Sequence, residues 1–386
     1  NDSVTIIMRN KQLGENYFTS NSRWVIEHDF QETGFNSFTQ SLTDLLYSDK
    51  AELLLGIRKP EFIDYNYKNP DFNESQNKII SKVLSAKDYF LLQGPPGTGK
   101  TSFALIAIIK EILKNSNSKT AILTFTNRAA NQICENLKLN NIDFIRFGDD
   151  GSGEDYVLHN KIKNRSVVEI KELLSNTRVV VSTVHSFIGR YKDLEPILFF
   201  DTVIVDEASQ LLEPHLIGIL SKCKKFILIG DHFQLPAISL QNDSETVLKD
   251  KDLNEIGFYD LKVSLFERLY NQCIKNKWSE AISVLENHYR MHDDIAQLIN
   301  HYYDNKLISV KEKQKSTEVI LNEELTDDEK AIMSARLIFI PTTKAVQSQF
   351  NTEEAEIVKH LLGIIKKTYG SQFNENTIGV ISMNLN

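Results

Sequence analysis

Gly94-Pro95-Pro96-Gly97-Thr98-Gly99-Lys100-Thr101 fits the pattern G-x-x-x-x-G-K-[ST], in which a glycine-rich loop wraps the phosphates of a nucleoside triphosphate. Glycines let backbone N–H groups turn inward toward an anion, and a helix starting at the loop adds the positive end of its dipole. In this pattern Lys100 reaches the β- and γ-phosphates, and the Thr101 hydroxyl is placed to ligate Mg²⁺. Upstream, Asp88-Tyr89-Phe90-Leu91-Leu92-Gln93 reads as a short buried strand. Downstream, Ser102 to Leu113 reads as an apolar-faced helix whose first residue, Ser102, joins the loop in the nucleotide-binding set. Strand, loop and helix arrive in the required order.

Outward from this unit, apolar strand-like runs at 89–93, 120–125, 178–182, 202–206 and 225–230 alternate with helical segments. That alternation predicts an α/β fold built on a parallel, doubly wound sheet. The stretch from Gly148 to Ser175 breaks the rhythm and reads as a surface insertion. Residues 1–70 form a polar and aromatic N-terminal accessory region with a helical piece from Phe38 to Ile57. The first nucleotide-binding domain is expected over 71–284 and the start of a second, incomplete one over 285–386. For that second domain, strands are predicted at Ala335 to Ile340 and Thr377 to Ser382, with a helix from Thr352 to Lys367. A chain that starts on Asn1 and stops just after a lone strand reads as a fragment, or as the ordered portion of something longer.

Val203-Ile204-Val205-Asp206-Glu207 is an apolar strand ending in two carboxylates. At such a strand end Asp206 can hold Mg²⁺ through water, and Glu207 can polarise the water that attacks the γ-phosphate. Phe226-Ile227-Leu228-Ile229-Gly230-Asp231-His232-Phe233-Gln234-Leu235-Pro236 is a second apolar strand with a polar end. Gln234 there can touch the γ-phosphate and report its presence, a switch biased by one group. His232, His288 and His292 read as polar packing residues, since no further ligand stands at suitable spacing.

These motifs together resemble superfamily 1 helicases, in the branch of the nonsense-mediated-decay helicase and its 5′-to-3′ relatives. The resemblance spans roughly residues 70 to 382. Gly94 to Thr101 is similar to motif I of that family, Asp206-Glu207-Ala208-Ser209-Gln210 to motif II, and Gly230 to Pro236 to motif III. Leu285-Glu286-Asn287-His288-Tyr289-Arg290-Met291-His292 resembles its YRMH motif. The resemblance implies tandem RecA-like domains of the P-loop NTPase class, with ATP and Mg²⁺ as cofactors. It implies that Gln76, in Phe72-Asn73-Glu74-Ser75-Gln76, binds the adenine base. Glu354, in Phe350-Asn351-Thr352-Glu353-Glu354-Ala355, would face the nucleotide from the second domain. Tyr289 would stack on adenine or pack between the domains. Arg290 would supply positive charge to the γ-phosphate when the cleft closes. Asn127 and Arg128 of motif Ia, together with Ser182, Thr183 and His185, would contact a single-stranded nucleic acid at the strand ends. Phe125, Ala237 and Asp293 stand where the family usually has proline, loop changes that leave the chemical residues intact.

Composition sets outer bounds. The net charge of −8 argues against a purely electrostatic nucleic-acid binder but leaves room for a local groove that tracks one strand. No apolar run approaches membrane-spanning length, and the three cysteines form no C-x-x-C pair, so a cytoplasmic protein with reduced thiols is expected. A GTPase would need an N-K-x-D motif, and an ABC-type ATPase a serine-glycine-glycine signature; the chain has neither. The leading expectation is an ATP-dependent helicase or translocase on single-stranded DNA or RNA. The rival is a regulatory module whose grip on nucleic acid is switched by ATP, without processive unwinding.

Overall fold

The computed structural model describes residues 35–148, 153–194, 198–237, 239, 241–316, 323–342, 351–374 and 376–381. Residues 1–34 of the accessory region, Gly151 and Ser152 of the insertion, Phe350 and Ser382 therefore lie outside the described residues. Seven strands form one sheet in the order β3-β4-β2-β5-β6-β1-β7, and every neighbouring pair is parallel. They are β1 (Tyr89–Gln93), β2 (Thr120–Thr124), β3 (Ile145–Phe147), β4 (Val179–Thr183), β5 (Thr202–Val205), β6 (Lys225–Gly230) and β7 (Ile282–Val284). The α/β fold read from the sequence is present. Its five longer strands fall on the expected runs because each is apolar along its length and buried on both faces, as covered parallel sheets require.

Two apolar layers flank the sheet. One contains Leu91, Leu123, Val205, Leu228 and Phe266; the other contains Phe90, Leu92, Ile108, Ile122 and Ile229. Alternate residues of one strand feed opposite layers, the period-2 geometry of a pleated strand. Cys134, Cys223 and Cys273 are all buried.

The predicted helix from Phe38 to Ile57 is divided. It runs Phe35–Leu46 and resumes as Ala51–Leu54. Between the two pieces, the Ser48 hydroxyl accepts from the Lys50 amide at 3.1 Å and donates to the Ser221 carbonyl at 3.0 Å, a local alternative to helical bonding. This N-terminal part is fastened from below by Arg268, which is fully buried. Arg268 makes a two-pronged ion pair with buried Glu213 and also donates to the carbonyls of Leu54, Leu55 and Ile256. Burial pushes the Glu213 carboxyl up, and the Arg268 guanidinium pulls it back down. Replacing Arg268 by methionine strands a buried carboxylate and three carbonyls. The expected cost is about 3–5 kcal/mol, read as a fall in the urea midpoint with an unchanged slope.

After β7 the structure departs from the sequence reading. The helix expected from Thr352 to Lys367 is present as Thr352–Tyr369, capped by the Asn351 side chain. The strands expected at 335–340 and 377–382 are not formed in the described residues. Phe339 and Ile381 are 87% and 96% exposed, with no described strand beside them to complete a ladder. The described strand pairing in this region is β8 (Asn287–His288) with β9 (Ile308–Ser309). No helix among the described residues is long and apolar enough to cross a membrane.

Candidate functional site

Because the strands of the large sheet run parallel, the carboxyl ends of β1, β5 and β6 share one edge, where an open α/β sheet places its ligand crevice. The loop 94–101 leaves β1 there. Gly97 and Gly99 both take φ of +78°, a backbone region closed to most side chains and open to glycine. Gly94 donates its amide to the Gly230 carbonyl at 2.9 Å, and the Thr98 hydroxyl donates to the Pro95 carbonyl at 2.8 Å, so the loop is stitched to β6 and to itself. A wide helical turn over Lys100–Ala104 then leads into the helix Leu105–Ile112.

Asp206, 1% exposed at the end of β5, accepts the Thr101 hydroxyl at 2.7 Å. Burial pushes its carboxyl up, and the nearby Lys100 ammonium opposes that shift. In a continued strand Glu207 would alternate away from Asp206. Instead Glu207 sits at φ +57°, a left-handed conformation that costs a non-glycine residue about 1–2 kcal/mol. The turn brings its carboxylate into the crevice, 3.3 Å from the Lys100 ammonium and 3.1 Å from the Gln210 amide. Strain of this kind belongs to sites where placement matters more than stability.

The same crevice receives the segment after β7. Tyr289 donates its amide to the Gly97 carbonyl at 2.9 Å. A Cβ placed on Gly97 would fall 2.5 Å from the Cβ of Arg290, so only glycine allows the two backbones to approach this closely. The Arg290 backbone is therefore set against the loop, on the same crevice. Gln76 closes the opposite end. Its side-chain oxygen accepts the Asn73 amide at 3.0 Å, completing a capping box, and its amide nitrogen donates to the Tyr289 hydroxyl at 3.2 Å. Each Gln76 group keeps one further hydrogen or lone pair for a ligand.

These pieces enclose a cavity of about 530 Å³. Of the sequence-predicted residues it is lined by Gln76, Pro96, Gly97, Thr98, Gly99, Lys100, Thr101, Ser102, Glu207, Gln234, Tyr289 and Arg290. Gly94, Pro95 and Asp206 stand behind this lining as its buried support. Glu354 does not line the cavity; it is exposed in the first turn of the helix Thr352–Tyr369. Sequence reasoning missed the aromatic wall made by Phe72 and Phe103, whose rings meet edge-to-face at 4.6 Å. It also passed over Asp231, 1% exposed, whose carboxylate accepts from Gln93, Gln234 and Tyr303.

The predicted nucleic-acid residues divide. Asn127 and Arg128 are exposed at the start of the helix Asn127–Leu139, and Asn127 is oriented by a 3.0 Å bond from the buried Arg146. Both line a shallow cleft with Gln132, which also lines the cavity beside the glycine-rich loop. His185 is exposed, its ring 5.2 Å from that of His215. Ser182 is fully buried and spends its hydroxyl on the Thr183 carbonyl at 2.9 Å. Thr183 is 6% exposed and accepts the Ser186 amide at the start of the next helix. Both hydroxyls are thus committed inside the protein, which removes the predicted strand contact from Ser182 and leaves Thr183 a capping role.

The residues present fit a triphosphate with its cation. Gly94 and Gly97 leave no room for a Cβ, and Thr101 and Asp206 offer paired oxygen donors of the hard kind Mg²⁺ takes. Among the described residues no group of three or more His, Cys, Asp and Glu side chains could hold a metal by itself. The ring nitrogens of His288 and His292 are engaged by protein groups: Ser309 and Gln314 for the first, the Ser316 carbonyl and Asp294 amide for the second.

Two family models, each described as an AAA domain, match this chain, one over residues 71–166 and 152–242 and the other over 261–385. The "DNA replication ATP-dependent helicase/nuclease JHS1" of Arabidopsis thaliana is 31% identical over 303 residues, covering 73% of this chain and 21% of that protein. The "DNA replication ATP-dependent helicase/nuclease DNA2" of Saccharomyces cerevisiae is 34% identical over 275 residues, covering 66% and 16%. The dna2 protein of the same description from Schizosaccharomyces pombe is 26% identical over 373 residues, covering 91% and 24%. The chain thus spans about a fifth of the length of the curated relatives it matches.

Proposed function

Because this chain belongs to the superfamily 1 helicases, in the branch related to the nonsense-mediated-decay helicases, we propose that it is the ATP-hydrolysing part of a motor on single-stranded nucleic acid. The observation that carries the reading is the single cavity that gathers Gln76, Lys100, Glu207, Gln234 and Arg290 from five separate stretches of sequence. Each has a task that in-line attack on a γ-phosphate requires. Gln76 and Tyr289, bonded to each other, form the edge that receives the base. Lys100 and the loop amides neutralise and align the phosphates. Thr101, and Asp206 through water, would hold Mg²⁺, whose chemistry would be to neutralise phosphate charge. Glu207 takes the proton of the attacking water, Gln234 contacts the γ-phosphate, and Arg290 stabilises the charge that develops on it.

The polymer we propose is single-stranded DNA, moved 5′-to-3′. The names of the relatives support DNA, and the resemblance described above supports the direction. Asn127 and Arg128, beside the shared Gln132, supply an exposed amide and cation for backbone contact. The test compares ATP turnover with no polymer, with single-stranded DNA and with single-stranded RNA, followed by displacement of a strand from a tailed duplex. Stimulation by DNA with displacement supports the motor; tight binding with no displacement favours an ATP-switched grip. Lys100→Ala is expected to lower turnover by about 10²–10³-fold, the cost of losing one preorganised charge in such a site. Turnover within a few-fold of the unmodified protein would remove Lys100 from the reaction.

A further inference from the structure

Gln234 lines the nucleotide cavity, yet its amide nitrogen donates inward to the Asp231 carboxylate at 2.7 Å. An amide carries two hydrogens, so one is anchored and the other, with the carbonyl oxygen, is left for the contents of the cavity. The anchor is itself held from behind. The same oxygen of Asp231, Oδ2, accepts the Tyr303 hydroxyl at 2.7 Å, while Oδ1 accepts the Gln93 amide at 3.2 Å and the Phe233 backbone amide at 3.3 Å. Tyr303 is 6% exposed and belongs to the short helical turn His301–Tyr303, beyond the arginine motif. Its ring packs edge-to-face on Phe233 at 5.5 Å, and it lines a second cavity of about 690 Å³ together with Gln93 and Phe233. One buried carboxylate thus joins the sensor amide to a residue that never touches the nucleotide.

We propose that Tyr303 is a positioning residue for γ-phosphate recognition, acting through Asp231 on Gln234. The inference rests on the nucleotide reading of the first cavity. A carboxylate gripped by several donors has one favoured orientation, so the amide anchored to it is preset toward the γ-phosphate. Without the Tyr303 hydroxyl, Oδ2 loses one of its two strong donors, the carboxylate can rotate about its side-chain bonds, and the Gln234 amide follows it. The base and the α- and β-phosphates touch other residues and should not register the change.

The test measures binding of ADP and of the non-hydrolysable ATP analogue AMP-PNP to the unmodified protein, Tyr303→Phe, Gln234→Ala and the double variant. Phenylalanine keeps the ring and its packing and removes one oxygen. Tyr303→Phe is expected to reduce the preference for AMP-PNP over ADP by about tenfold, the loss of one hydrogen bond to a charged group, with ADP affinity unchanged within about twofold. Gln234→Ala should do the same, and the double variant should be no worse than Gln234→Ala alone, because the two residues act in series. Equal weakening of both nucleotides would mean that Tyr303 only supports the fold, and would overturn the proposal. So would a Tyr303→Phe protein that keeps full preference while Gln234→Ala loses it. If the preference pattern holds but no variant, nor the unmodified protein, hydrolyses ATP, the motor reading fails and the relay stands.

Discussion

Arg290→Ala is expected to slow ATP hydrolysis by about 10³-fold or more, the range an arginine supplied to a transferring phosphoryl group commands. Arg290 lines the cavity, and its backbone is set against the loop because Gly97 has no side chain to hold it off. The loss should fall mainly on kcat, since the charge it stabilises develops in the transition state. A steady-state titration of ATP in the presence of single strands separates kcat from KM. A rise in KM with kcat unchanged would make Arg290 a ground-state binding group. Arg290→Lys should recover little, because a point charge on a flexible stem cannot reproduce the planar fork.

Glu207→Gln is expected to lower kcat by about 10²–10⁴-fold, the range assigned to a positioned general base. Binding of ATP should be retained or tighten. Glutamine keeps the shape of the side chain, and the Lys100 ammonium, which faces the Glu207 carboxylate at 3.3 Å, is released toward the phosphates. Rapid mixing with excess enzyme should show bound ATP persisting through a single turnover. Ordinary single-turnover kinetics in this variant would take the water-activating role away from Glu207. Circular dichroism should be unchanged, since the left-handed turn at this position is as accessible to glutamine as to glutamate.

The cavity beside the glycine-rich loop was legible in the sequence because its parts carry demands few residues meet. A loop that needs φ of +78° at both Gly97 and Gly99 displays its glycines. A buried strand that ends in Asp206-Glu207 displays its carboxylates against an apolar run. The five longer strands were readable for the same reason, whereas β3 and β7 have three residues each, too few for a pattern. In β3 the middle residue is Arg146, fully buried, which reads as a surface residue in any window. The role of Asp231 was hidden because its donors Gln93 and Tyr303 lie 138 and 72 positions away. Ser182 was read as a strand-end hydroxyl available to a nucleic-acid strand. It is fully buried with its hydroxyl on the Thr183 carbonyl, and no local pattern announces that burial. The opposite error occurred at 335–340, where a strand-like apolar run stands exposed. Apolar composition reports what a segment could pair with; it does not supply the neighbour.

The burial of Cys134, Cys223 and Cys273 has a practical consequence for watching this molecule work. Burial pushes the Cys223 thiol up to about 12 and the Cys273 thiol up to about 11, so at neutral pH almost none of either is in the reactive thiolate form. The native sequence should stay nearly dark to maleimide dyes while folded. A single cysteine introduced on the exposed face of the helix Thr352–Tyr369, and another beside Asn127, would then accept fluorophores without any native sulfur being removed. Such a pair would report the separation between those two helices through each round of nucleotide turnover, by energy transfer, in single molecules.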